Sequence, residues 1–545
     1  MTQPITRVRR AAAALLLAVP AVTLPGCQNF LDVNTNPNTP EVVSANLYLP
    51  GILHWWAAAP AFDGRFLGRY TQTWMLPGTS TTPSTWDRMG YDPGSDNGAE
   101  QWRDVYWSFG QNLIDMMTKA QAEERWDILG VGYLMKAWGW LVLTDMHGPI
   151  IKLDQVFDQS RLTFDYDTED HQYEVVLAEL DSAITFLERT DGAVDATYLR
   201  KGDLIYGGDR SKWLKAAWGV KALALNHLSN KGALYRPQDV IAAVDKSFGS
   251  NADDALLPYQ ATNNDNTNFY GRTRGNLPSY RQTYFPVGLM DGTQFSGAVD
   301  PRMRRMLSPS PDGVYRGLDP NVGDALTILP AAQRPNNVFG YPGTGGLALP
   351  SRYIFSDKSK FPQMTYAELQ FVKAEAAYRA GNPAVALSAY TTAIGASIDF
   401  VNARNADDGQ SGDHTGAPES NITPISSAER AAFLADTRIV PATPAGLTLS
   451  HIMSQKYVAL WGWGHNEIWV DMRRYHYTDL DPVSGTQVFR GFKLPTNFYV
   501  DNAGKPVYRV RPRFNSEYVW NKQGLSQVGA LDADYHTKPV WILQP

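Results

Sequence analysis

The chain has 545 residues, a formal net charge of −6 and a single cysteine, Cys27. One cysteine excludes an internal disulfide, so a core must be held by packing, and this length allows a large one. The acidic balance speaks against a nucleic-acid binder, which would present a basic face. Aromatic residues make up 12%, with 16 Trp and 27 Tyr. Their apolar bodies and polar tips suit half-exposed binding faces as well as cores.

The first segment reads as an export signal. Arg7, Arg9 and Arg10 precede a short apolar run, Ala11 to Leu24, and small or turn-forming residues lead to Cys27. The run is too short to cross a bilayer, which takes roughly 20 residues. Leu24-Pro25-Gly26-Cys27 resembles the bacterial lipobox, whose cysteine carries lipid and becomes the mature N-terminus, although Pro25 stands where a small residue is usual. Residues 1–26 are therefore expected to be removed. Residues 27–40 would form the anchor and tether, and 41–545 the folded domain. No second apolar run is expected to reach spanning length.

The next stretch, "TWMLPGTSTTPSTWDRMGYDPGSDNG" (residues 73–98), is too rich in Pro, Gly, Ser and Thr to form a helix. Apolar residues then recur at spacings of three and four, predicting helices over Gln101–Ala120, Ile128–Asp145, Asp170–Arg189 and Ser211–Ser229. Gly148-Pro149 ends the second of these, since glycine accepts the left-handed conformation and proline cannot continue a helix. Asp165, Asp167 and Glu169 have the alternation that opens a calcium loop. Asp170 and Val176 stand where an EF-hand needs Gly and Glu, and acids at a helix start suit its dipole, which is the reading preferred here.

Residues 250–362 lose helical periodicity and fill with Gly, Pro, Asn and aromatics. Phe269, Tyr270, Tyr280, Tyr284 and Phe285 argue for order there. Two further helices follow, Tyr366–Arg379 and Pro383–Ile398, with Asn382 as N-cap and Pro383 at the first helical position. "AYRAGNPAVALSAYTTAI" (377–394) resembles the second half of a tetratricopeptide repeat, in which small alanines let two helices approach and an aromatic fills the gap. The helical scaffold thus lies mainly in 100–230 and 363–475. Loop-rich regions occupy 73–98, 250–362, 401–448 and 480–545.

Several motifs in order resemble one family, the SusD/RagB nutrient-binding outer-membrane lipoproteins. "CQNFLDVNTNPNTP" is similar to its mature N-terminus, and "LTDMHGPI" to its aspartate-aromatic-glycine-proline turn, with His147 in the aromatic's place. "DLIYGGDRSKWLKAAW" resembles a helix start built around Gly208, Asp209 and Trp213. "PQMTYAELQFVKAEAAYRAG" resembles its most specific signature, through Thr365, Glu368, Glu375 and Gly381. "IMSQKYVALWGWGHNEIWVDMRRYHY" is similar to its late helix pair, and "VRPRFNSEYVWN", with Arg513, Glu517 and Asn521, to its closing motif. The resemblance implies a mostly α-helical SusD-like fold: tetratricopeptide-like helix pairs as scaffold and a loop-rich ligand-binding face. It also implies a protein tethered by lipid on Cys27 in the outer membrane, facing outside the cell. Its partner would be a SusC-like TonB-dependent transporter, and its role capture of an oligosaccharide or polysaccharide for import. A peptide-binding member of the same family and a non-catalytic helical-repeat scaffold are the alternatives. An acidic run often follows the cysteine in displayed members; here only Asp32 is near.

Most motif residues read as structural: Asp209 as a cap, Trp213 as core, Glu368 and Glu375 as partners of arginines or backbone donors. Arg473 and Arg474 could pair with such carboxylates inside the array. Ligand contacts are expected from loops, where an aromatic plane matches the C–H face of a sugar and Asn, Asp or Arg takes its hydroxyls. The candidates are Trp74, Trp86 and Tyr91 in 73–98, and Tyr270, Arg274, Asn276, Tyr280 and Tyr284 in the later loop. No enzyme motif emerges. "GQSGD" (409–413) misses the nucleophile elbow by its last residue, no H-E-x-x-H or paired-cysteine site occurs, and "GYPGTGGLALP" precedes no helix. No cofactor or metal site is expected from the residues, while the family resemblance leaves room for a structural calcium ion.

Overall fold

The computed structural model describes residues 43–343, 352–404 and 423–545. Cys27, the export signal, the tether and "GQSGD" lie outside the described residues, as does most of "GYPGTGGLALP". Ala45–Pro545 form one unit.

Among the described residues, ten helices of ten or more residues form the scaffold: α1 Leu49–Tyr70, α2 Gly110–Ala122, α3 Trp126–His147, α4 Glu169–Glu188, α5 Arg210–His227, α6 Pro237–Lys246, α7 Tyr366–Arg379, α8 Pro383–Ala403, α9 Leu449–Leu460 and α10 His465–Arg474. Successive helices pack on one another, α3 on α4, α4 on α5, α5 on α6 and α6 on α7, and α7 then packs on both α8 and α9. This is the stacking of a helical repeat, in which each helix buries its apolar stripe against its neighbours. Strands are minor. β1 (Trp74–Met75) pairs antiparallel with β5 (Arg281–Gln282), β2 (Ile150–Ile151) with β3 (Tyr166–Asp167), and β4 (Ala255–Leu257) with β6 (Phe361–Met364).

The helix starts follow local chemistry. Asp209 accepts a hydrogen bond from the Ser211 N–H at 3.0 Å, and Asn382 one from Val385 at 3.3 Å. Thr365 and Glu368 form a reciprocal capping box, which satisfies two of the free N–H groups at the start of α7. Trp213 is fully buried. The acids at the start of α4 bind other backbone N–H groups. Asp167 accepts from the Thr168 N–H at 2.9 Å, and Glu169 accepts from the Trp541 N–H.

Three features differ from the sequence reading. The helix expected over Gln101–Ala120 is broken: a turn at Glu100–Arg103 leads into a π-turn at Asp104–Ser108, and α2 starts only at Gly110. A π-turn inserts an extra residue and re-aims the side chains beside it. The region 401–448 contains a capped helix, Ser427–Ala435, opened by Ser426 and Glu429. Finally, α8 is apolar and long enough to span a membrane by length and composition, yet 61% of its apolar window is buried in the helix stack.

A charged network lies inside the stack. Arg474 grips Glu375 with both terminal nitrogens, at 2.7 and 2.8 Å, and reaches Asp471 at 2.5 Å; Lys456 holds Asp471 at 2.8 Å. His227 lies 3.0 Å from both Asp145 and Glu467. These residues come from α3, α5, α7, α9 and α10, so the network sets the register of five helices. Burial would lower the His227 pKa, but the carboxylates of Glu467 and Asp145 more than reverse this and raise it to about 10. Glu368, buried without a bound arginine, is pushed up to about 8 by desolvation and by the neighbouring Glu467.

Candidate functional site

The aromatic loop residues expected at a ligand face are largely structural. Trp74 and Tyr270 are each 0% exposed and meet edge to face at 5.8 Å. The His465 ring closes the cluster, 4.6 Å from Trp74. Gly64 and Gly68 of α1 make room for it, since a Cβ at Gly68 would lie 2.6 Å from the Trp74 Nε1. Tyr280 is buried against Trp74 at 6.0 Å. These three residues, assigned to ligand from sequence, are therefore core residues. The pairing of β1 with β5 places them there by joining two loops far apart in the chain.

Trp86 is also buried, stacked on Tyr70, and its indole N–H donates to Asp92 at 2.8 Å. Its loop is pinned to α1 by a buried, two-pronged bond from Arg69 to Asp87, at 2.8 and 3.1 Å. The edge of Trp86 lines a small cavity of about 170 Å³, shared with Tyr91, Arg511, Phe514 and Tyr518. Tyr91 is half-buried, donates to Asp501 at 2.9 Å and carries the Arg511 guanidinium 4.2 Å from its ring centre. Tyr284 is half-buried elsewhere, with the Lys493 ammonium 5.4 Å from its ring.

The remaining two candidates, Arg274 and Asn276, line a larger groove of about 360 Å³. Ligand sites commonly span roughly 300–1,000 Å³, which favours this groove over the smaller cavity. An open concavity of about 550 Å³ before α5 is also large enough, but Tyr206 is its only aromatic lining residue. Consecutive residues line the two aromatic-lined concavities, Ala99 the cavity and Glu100 the groove.

Three segments build the groove. α1 supplies His54, Trp55, Phe62 and Arg65; the turn after the first loop supplies Glu100, Arg103 and Asp104; the later loop supplies Tyr259, Phe269, Arg274 and Asn276. Asp63 ties the first two together by accepting the N–H groups of Glu100 and Gln101, at 3.0 and 2.9 Å. Asn276 donates to the Phe269 carbonyl at 2.9 Å, which holds the third segment in shape. The Arg103 guanidinium lies 5.6 Å from the Trp55 ring and 5.2 Å from that of Trp107. Trp107 projects from the π-turn and is 68% exposed.

Among the described residues, two buried polar atoms on the groove lining have no partner: Asp104 Oδ2 and the Tyr259 hydroxyl. Buried polar groups in folded proteins are normally hydrogen-bonded, so an orphan at a concave surface is suited to meeting a ligand. Burial pushes the Asp104 carboxyl up to about 8, against a stabilising bond from the Ser108 hydroxyl. Sequence reading missed α1 and the π-turn as contributors. Trp55 and Trp107 were visible as residue types, but exposure cannot be read from type. Among the described residues, no group of three or more His, Cys, Asp or Glu side chains could hold a metal ion.

Comparison with known proteins fits this architecture. Residues 64–496 match the SusD-like family model described as starch-binding and associating with the outer membrane. Among solved structures, a SusD/RagB family protein from Bacteroides thetaiotaomicron is 21% identical, with a TM-score of 0.68 over 92% of this chain and 99% of its own. A chitin-binding protein is 19% identical, with a TM-score of 0.69 over 92% and 100%. A SusD homologue from Bacteroides fragilis is 19% identical, with a TM-score of 0.68 over the same shares. Among curated proteins none matches this sequence. The helical stack, its buried charge network and a family match over most of the chain lead to one conclusion: this protein belongs to the SusD/RagB family of SusD-like outer-membrane-associated proteins.

Proposed function

We propose that the protein is a non-catalytic nutrient receptor that captures carbohydrate in the groove between α1, the π-turn and the later loop. It would be held at the outer membrane by lipid on Cys27 and pass its ligand to a TonB-dependent transporter. The observation that carries the reading is the groove itself. It combines half-buried aromatic side chains (Trp55, Phe62) with fixed polar groups on a family scaffold described as starch-binding. Sugar rings present apolar C–H faces to aromatic planes and hydroxyls to hydrogen-bonding groups, and this lining offers both. The chitin-binding neighbour is consistent with a glycan ligand on the same fold.

Calorimetry against neutral and acidic polysaccharides, their oligosaccharides and peptide digests tests the reading. Trp107→Ala and Trp55→Ala would be run beside the parent. Heat with a glycan class, weakened about tenfold in either variant, supports it. Heat with peptides alone would move the ligand to that class. Labelling with a radioactive fatty acid in cells, lost on Cys27→Ser, tests the anchor.

A further inference from the structure

The groove carries more positive charge than it neutralises. Arg65 and Arg274 flank the Phe269 ring, their guanidinium carbons 5.1 and 5.6 Å from its centre. Among the described residues neither guanidinium has a carboxylate within ion-pair distance. Arg65 donates to the Phe62 carbonyl at 3.4 Å, and Arg274 to the Asn264 carbonyl. The nearby acids are otherwise committed or open to solvent. Glu100 is bound to Arg103 at 2.5 Å, Asp63 is taken up by two backbone N–H groups, and Asp265 is exposed at the rim. Burial and Arg274 lower the His54 pKa, against the pull of Asp265. In a protein with a net charge of −6, two unpaired arginines on one concave aromatic surface stand out.

Resting on the carbohydrate reading above, we propose that the groove selects anionic sugars, with Arg65 and Arg274 engaging the ligand's carboxylate or sulfate and Asp104 donating a hydrogen bond to one of its oxygens. Guanidinium groups match planar oxyanions with paired N–H donors, and seating on an aromatic face orients them at little entropic cost. Asp104 suits the donor role because its Oδ2 is buried without a partner among the described residues, and burial raises its carboxyl to about 8, which favours the protonated form. An ionised carboxylate there would repel the same ligand. Trp55 and Phe62, both half-buried on the lining, present apolar surface to the sugar's edge.

The test titrates the purified full-length protein with polygalacturonate, its fully methyl-esterified form, dextran sulfate, amylose and a poly-glutamate peptide. Expected is at least tenfold tighter binding of polygalacturonate or dextran sulfate than of the esterified polymer and amylose, weakening as salt rises. Arg65→Gln and Arg274→Gln should each remove most of that preference, Arg274→Lys should retain part of it, and near-UV circular dichroism should be unchanged. Tighter binding of one polyanion than the other identifies the anion and supports the proposal. Equal binding of acidic and neutral polymers, or an unchanged preference in both Gln variants, overturns the charge selection and leaves carbohydrate capture standing. Binding of poly-glutamate with no polysaccharide overturns both.

Discussion

Replacing Glu375 by glutamine removes one negative charge from the interior and leaves the shape of the side chain nearly intact. In the parent, this carboxylate accepts from Arg474 at 2.7 and 2.8 Å, the Tyr475 hydroxyl at 2.6 Å, Asn226 at 2.9 Å and Arg379 at 3.3 Å. All its oxygen capacity is used, and neither Glu375 nor Arg474 reaches solvent. The glutamine amide would turn a donor toward donors, and Arg474 would lose its larger counter-charge. Removing one partner of a buried pair costs about 3–5 kcal/mol. Asp471 still holds Arg474 at 2.5 Å, so the lower end, about 3 kcal/mol, applies. Urea unfolding followed by tryptophan fluorescence gives the number. The double variant Glu375→Gln/Arg474→Met removes both charges and leaves Asp471 with Lys456 at 2.8 Å. It should therefore be more stable than the two single effects added together, with a coupling of about 2 kcal/mol or more. A single-variant cost below about 1 kcal/mol, or strict additivity in the double, would refute the view that this pair organises the interior.

The remaining predictions concern helix ends, packing and pH. Asp209→Ala should cost about 1 kcal/mol by leaving the Ser211 N–H uncapped, while Asp209→Ser should be nearly neutral; the unfolding midpoint reports both. Gly68→Ala would place a Cβ 2.6 Å from the Trp74 indole nitrogen and should destabilise by about 1–3 kcal/mol. Gly51→Ala, also in α1, meets nothing within 4 Å and should stabilise by about 0.5–1 kcal/mol, so the two substitutions should move the melting temperature in opposite directions. The raised pKa of His227 means that folding takes up a proton there. Its contribution is fully present below pH 6.5 and is lost as pH rises through about 10. Stability measured from pH 6 to 10 should fall more steeply in the parent than in His227→Gln, and parallel curves would contradict the assignment.

Much of the scaffold was legible in the sequence because helix formation is local. Apolar spacing and end chemistry located α3, α4, α5, α7 and most of α8, and the capping roles of Asp209 and Asn382 appear as read. The pairing of Glu375 with Arg474 was also foreseeable, since two buried opposite charges in one stack require each other. α1 escaped notice, with Pro60 inside it and Gly51, Gly64 and Gly68 along it, all residues that weaken a helical pattern. Tertiary packing tolerates them: the glycines at 64 and 68 are where Tyr270, Trp74 and His465 press in.

Which aromatics are exposed was decided by the tertiary structure alone. Trp74 and Trp107 are the same residue type, yet one is sealed by a strand partner 208 positions away, Gln282, and the other is lifted outward by a π-turn. Exposure depends on what the rest of the chain brings alongside a side chain, and no local pattern encodes that. The sequence by itself determined a mostly helical, disulfide-free protein and the family it resembles. The groove that joins α1, the π-turn and the later loop, with Arg65 and Arg274 on its lining, exists only once long-range packing has brought those segments together.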